Sequence, residues 1–222
     1  MAECFLLLVD MKGSTDLTPR VAERVFGTLE ERLAELSRRL DPAPLLGLSI
    51  SYGDEVAGLF DTPAHLYSVV DQIRDWLHPE VAIRFVAAHG SIGRYSQDIR
   101  QVGGEVFKRA DDAVRAIKKE RRFCRWLIGD GTTNAALDAL TEISNAVLED
   151  MTVYQREVYR LLASGLSQAE IAGRMGKHRQ SVSDAVRRGH AELVLEASDA
   201  IGSLLDAIPS TKIDGFRTLN EK

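Results

Sequence analysis

Two rhythms of apolar positions divide this chain of 222 residues. Through its first two thirds, short unbroken apolar runs alternate with stretches where apolar residues return every three or four positions. Beyond them only the helical period is left. Phe5–Asp10 (FLLLVD) is a continuous run ending in an acid, which predicts a buried strand. Gly13-Ser14-Thr15 turns the chain. Thr18 and Pro19 then supply an N-cap and a first-turn proline for a helix with Val21, Val25, Leu29, Leu33, Leu36 and Leu40 on one stripe. Asp41-Pro42-Ala43-Pro44 stops it. Leu45–Tyr52 and Glu55–Phe60 read as strands joined by a hairpin at Gly53-Asp54. Thr62-Pro63 opens a helix through Trp76, Val81–Ala88 (VAIRFVAA) is a strand, and Gly103-Gly104 opens a helix to Lys119. Phe123–Ile128 is a further strand and Thr132–Leu148 a further helix.

The order β-α-β-β-α-β-α-β, followed by helices alone, predicts an α+β sandwich with helices on one face of an antiparallel or mixed sheet. An all-α module follows it. The expected organisation is an α+β domain over 1–130, a linking helix over 131–150, a three-helix module over 151–200 and a polar tail over 201–222, loose after Pro209.

Composition adds little until charge is placed along the chain. With 45% hydrophobic and 27% charged residues the chain has material for a real core. Cys4 and Cys124 sit in apolar runs without metal-ligand spacing and read as reduced thiols of a cytoplasmic protein. The run Phe5–Val9 is too short for a signal peptide or a span, so no membrane partner is expected. A net charge of −5 argues against a polyanionic partner, yet Met151–Leu195 holds seven basic side chains (Arg156, Arg160, Arg174, Lys177, Arg179, Arg187, Arg188) against four acidic ones. That segment is +3 and the remainder −8, a basic module on an acidic body.

Within the module, Val158, Leu161 and Leu162 stripe one helix. Ser167 with Glu170 forms a capping box for a second, Gln168–Met175, which Gly176 ends. A third starts near Arg179 and carries Val182, Ala185, Val186 and Leu193 on one face. Ala172 lets two helices cross closely, Gly176 four residues on makes the turn, and Val182 packs back into the crossing. The string SQAEIAGRMGKHRQSVSDAVRRG, about a fifth of the chain, resembles the helix-turn-helix of sigma-factor region 4 and of related response-regulator domains. The resemblance implies a third helix in the major groove of double-stranded DNA. His178, Arg179, Gln180, Ser183, Asp184 and Arg187 would face base edges. Arg174, Lys177 and Arg188 would sit on phosphates, with the amide and hydroxyl of Ser167.

In the N-terminal half, Asp10 ends a strand and Asp54 sits in a hairpin; a β-α-β-β order can bring them to one sheet edge. Two such carboxylates are the minimum for holding Mg²⁺, with Gly13, Ser14 and Thr15 offering amides to a phosphate. His89 reads as a structural histidine, Trp76 and Trp126 as core, and the run Arg115, Lys118, Lys119, Arg121, Arg122, Arg125 as a solvated helix end.

Four segments in this order, VDMKGSTDL, SYGDEVAGLF, IRFVAAHGSIG and GGEVFKRADDAV, resemble the SatD family. Its N-terminal domain is similar to the class III nucleotidyl cyclases, and its chains carry a C-terminal helix-turn-helix. The resemblance implies a ferredoxin-type, cyclase-like sandwich in which Asp10 and Asp54 match the metal aspartates and Lys12 to Thr15 the phosphate loop. It departs at Ile50, where cyclases place the base-selecting lysine, and at Phe107 and Asp111, where they place an asparagine and an arginine. Lys108 and Arg109 lie nearby as substitute phosphate contacts. The expected protein is a DNA-binding regulator with a degenerate cyclase-like domain that dimerises or binds a nucleotide with Mg²⁺, without a catalytic set. A Mg²⁺-dependent cyclase or nucleotidyltransferase, or a protein-interaction adaptor, are the alternatives.

Overall fold

The computed structural model describes residues 2–93 and 96–211. The side chain of Thr15 and the tail from 212 onward lie outside the described residues. Among the described residues, 2–138 with 204–211 form one compact unit and Ala139–Ser203 another, the division falling inside one helix and again inside a second.

The first unit is organised by β1 (Glu3–Lys12). Its side chains are apolar on both faces: Phe5, Leu7, Val9 and Met11 on one, Cys4, Leu6 and Leu8 on the other, each no more than 2% exposed. Such a strand has no face to give to water and belongs in the middle of a sheet covered on both sides. With β2 (Leu46–Ile50), β3 (Glu55–Phe60), β4 (Ala82–Ser91) and β5 (Cys124–Leu127), the strand order is β2-β3-β1-β4-β5. Neighbours are antiparallel except β4 and β5, which run parallel. This is a split β-α-β-β-α-β sandwich with one parallel strand added, the expected α+β class.

Helices cover both faces rather than the single face that the element order suggests. Helix α3 (Glu105–Glu120) buries Val106, Ala110, Val114 and Ile117 against Leu6, Leu8, Ala57, Leu59, Val86 and Ala88. Helices α1 (Pro19–Arg39) and α2 (Leu66–Leu77) pack on β2 and β4 and cover the other face. There Phe85 meets the rings of Phe123 and Trp126 edge-on, at 5.4 and 5.2 Å. Trp126 is fully buried, while Trp76 is only half-buried, under the Arg32 guanidinium. The start of α3 needs a glycine. Gly104 has φ 144°, and a Cβ there would stand 2.6 Å from the Gly93 nitrogen.

Strand β5 is an edge, and α4 (Gly131–Asp150) closes it. The Asn134 side chain accepts from the amides of Ile128 (3.0 Å) and Gly129 (2.9 Å). The buried Asp138 carboxylate accepts from the Trp126 amide at 2.8 Å.

The second unit holds α5 (Val153–Ala163), α6 (Gln168–Met175), α7 (Arg179–Arg188) and most of α8 (Ala191–Asp206). Val158, Leu161, Ile171, Ala172, Val182, Ala185 and Val186 make its core. Two expectations change here. The third helix is two, because Gly189 and His190 (φ 52°) end α7, so Leu193 falls on α8 and is 54% exposed. Residues 201–206, expected in the polar tail, continue α8 with Ile201 and Leu205 fully buried. Thr211 then donates its amide to the Asp61 carbonyl at 2.7 Å.

Candidate functional site

Local sequence signals build the first candidate surface. Ser167 caps α6: its hydroxyl accepts from the Glu170 amide, while its own amide and hydroxyl donate to the Glu170 carboxylate at 2.8 and 2.7 Å. Both donors expected to reach a phosphate are therefore held inside the capping box. Gly176 takes the left-handed conformation (φ 61°), and the Lys177 amide returns to the Ala172 carbonyl at 2.9 Å. This closes the helix end in Schellman fashion and directs the chain into α7. Helix α7 buries Val182, Ala185 and Val186 and turns its other side to solvent. Lys177, His178, Arg179, Gln180, Arg187 and Arg188 are exposed there, Ser183 and Asp184 are half-buried, and Arg174 is exposed on α6.

The surface is less basic than its composition. Arg156, one of the seven counted cations, is 5% exposed and donates to the Leu148 carbonyl at 3.0 Å. Arg160 pairs with Glu157. Arg187 donates to Asp184 at 3.1 Å, and that hydrogen bond, with one from Gln180, holds the Asp184 carboxyl below the usual carboxylate range.

The second candidate lies on the α3 face of the sheet. Register places Asp10 opposite Glu55 on β3 and Arg84 on β4. Asp10, its side chain 9% exposed, meets Lys118 Nζ at 2.5 Å on one oxygen. Its other oxygen stands 3.1 Å from Arg84 Nε, an ion contact without hydrogen-bond alignment. Burial pushes the Glu55 carboxyl up. The Ser51 hydroxyl, donating at 2.8 Å, opposes this; Asp111 and Asp10 add to the rise, and Lys118 counters it. Asp54 sits one residue beyond this cluster. Its carbonyl accepts from the Met11 amide at 3.1 Å, and its carboxylate accepts from the Ser14 hydroxyl. Gly13 (φ 69°) turns the chain from Lys12 into a short 3₁₀ turn at Ser14–Asp16. Among the described residues, no group of three or more His, Cys, Asp or Glu side chains is placed to hold a metal.

The remaining expected contacts scatter. Lys108 is exposed, and Arg109 donates to the His89 carbonyl at 2.7 Å. His89 stacks on Phe5 at 4.7 Å, on the sheet face away from Asp10. Four of the six side chains in the basic run meet acids, Arg115 with Asp112, Lys118 with Asp10, and Arg122 and Arg125 with Asp138, while Lys119 and Arg121 are exposed. Both cysteines are buried; the Cys124 thiol donates to the Asp138 carbonyl at 3.8 Å, and burial pushes the Cys4 thiol up to about 12. Arg84 is the one partner of Asp10 with a visible sequence signal, a lone charge inside VAIRFVAA.

No described protein family matches this chain, and no curated protein does. Among solved structures the chain is similar to one described as a bacterial light-regulated adenylyl cyclase, at 14% identity over 56% of this chain and 75% of that one. At a TM-score of 0.35 the likeness carries no weight, and the sandwich stands on its strand order alone. Among the described residues no helix is long and apolar enough to cross a membrane.

Proposed function

We propose that this chain is a DNA-binding transcriptional regulator of the SatD type. In this reading the α+β unit is a degenerate cyclase-like domain that pairs two copies or senses a ligand. One observation carries the reading: α7 is seated on α5 and α6 by an apolar face and presents Arg179, Gln180, Arg187 and Arg188 on the other, with Lys177 and His178 exposed in the turn that leads into it. A helix so mounted suits a major groove, where arginine and glutamine make two-point contacts with guanine and adenine. Pairing through the acidic unit would supply the second half-site that one helix-turn-helix needs for tight binding. The substitutions at Ile50, Phe107 and Asp111 favour regulation over nucleotide cyclisation, because none of them can select a base or stabilise a developing phosphorane charge.

Selection of bound fragments from genomic DNA, followed by a salt titration on the enriched duplex, tests the reading. Arg179→Ala should weaken the enriched site by ~1–3 kcal/mol and relax its sequence preference, as loss of a base contact does. Failure to enrich any fragment, with no salt-sensitive binding to duplex DNA, would leave the adaptor reading in its place.

A further inference from the structure

We propose that the α+β unit carries its own cations where a divalent metal would sit, so that Asp10 is a metal-independent latch holding α3 to the sheet. The cyclase resemblance implies Mg²⁺ between Asp10 and Asp54, and the residues present do not suit it. Mg²⁺ requires oxygen donors in near-octahedral array at short range and keeps several waters. Here one Asp10 oxygen faces Lys118 Nζ at 2.5 Å and the other faces Arg84 Nε at 3.1 Å. A dication added to that carboxylate would stand within a few ångströms of two positive groups, on the side of the residue that α3 covers. The second expected ligand is engaged as well, since the Asp54 carboxylate accepts the Ser14 hydroxyl.

The two cations differ in role. Arg84 lies opposite Asp10 in the β1–β4 register, and its side chain is 16% exposed. It supplies the counter-charge that a buried carboxylate requires. Lys118 comes from two turns beyond Asp111 on α3 and is 47% exposed. It therefore ties the C-terminal half of that helix to the end of β1 and can be removed without opening the core. Sequence could not supply this pairing, because Lys118 lies 108 positions from Asp10 and sits in a run of ordinary surface cations. The inference deepens the reading of the α+β unit as non-catalytic. DNA binding by α7 could fail without touching it, and metal uptake at Asp10 would overturn it without touching α7.

Mn²⁺ is the probe, titrated against the full chain and followed by the loss of the free-ion paramagnetic signal. The native protein and Asp10→Asn should take up the same amount of Mn²⁺ at millimolar metal, and MgCl₂ should leave the native melting temperature where EDTA does. Lys118→Ala should melt below the native protein by the same amount in MgCl₂ as in EDTA, and should gain no Asp10-dependent Mn²⁺, because Arg84 still faces the carboxylate and Ser14 still engages Asp54. Lys118→Gln, which keeps most of the stem and removes the charge, serves the same comparison should the alanine variant fold poorly. Native uptake that Asp10→Asn abolishes would overturn the proposal. So would lysine variants that melt with the native protein.

Discussion

Asp184 is an acid on a face that should meet phosphate, and removing its charge gives the sharpest prediction. Four exposed cations, Arg174, Lys177, Arg179 and Arg188, flank the reading face, while Arg187 is 71% exposed but held by Asp184. On a duplex without the target sequence, where Arg179 also falls to a phosphate, four phosphates are neutralised per protomer, and log affinity should fall with log salt at a slope of about −3.6, or roughly 10²-fold between ~50 and ~200 mM. Asp184→Asn releases Arg187 to a fifth phosphate. The slope should steepen by about 0.9, and extrapolation from 1 M salt makes that roughly tenfold tighter binding at ~50 mM. Fluorescence anisotropy on an arbitrary duplex suffices, because this contribution does not depend on sequence. Arg187→Ala in the Asp184→Asn background should return the native slope. An unchanged slope, or weaker binding by Asp184→Asn, would refute the reasoning; the second result would mean that Asp184 itself accepts from a base.

The other predictions concern stability. Asp138→Ala leaves the buried Trp126 amide without its 2.8 Å acceptor and removes the carboxylate facing Arg122 and Arg125. It should cost about 2–4 kcal/mol in urea unfolding. Asp138→Asn keeps an acceptor and should cost no more than ~1 kcal/mol, the range of partly exposed ion pairs; equal losses would show that the amide contact is not what matters. Glu55, with its carboxyl pushed up by burial, holds its proton to higher pH in the native state than in the unfolded chain. Its ionisation therefore works against folding as pH rises through the carboxylate range. Glu55→Gln should melt higher than the native protein at neutral pH, and the gap should shrink towards acid pH, where both states are protonated; a gap that widens there would contradict this.

The helix-turn-helix was open to reading because its signals are short-range. A capping box spans three residues, a left-handed glycine cap ends its own helix, and the stripe that buries Val182, Ala185 and Val186 repeats within one helix. Element order and α+β class were legible for the same reason. The break between α7 and α8 is less legible: Gly189 follows Arg187 and Arg188 as a stop signal would, but the left-handed turn that marks Gly176 falls here on His190 (φ 52°), a residue that does not advertise it. What the chain does with Asp10 belongs to tertiary structure. Sequence marks it as an acid ending a strand, but whether that acid meets a metal or a lysine depends on strand register and on where α3 lands. Those contacts join residues far apart in the chain. The same holds for Asp138, legible as a polar position on a helix, which only the edge of β5 turned into a buried acceptor. Ser167 shows the reverse case: its cap was predictable, and the cap holds the donors that phosphate contact would need. Apolar periodicity determined which helices and strands form, since burial drives them locally. Long-range packing decided which charges they bring together, because a buried charge is settled by whichever counter-charge the fold places beside it.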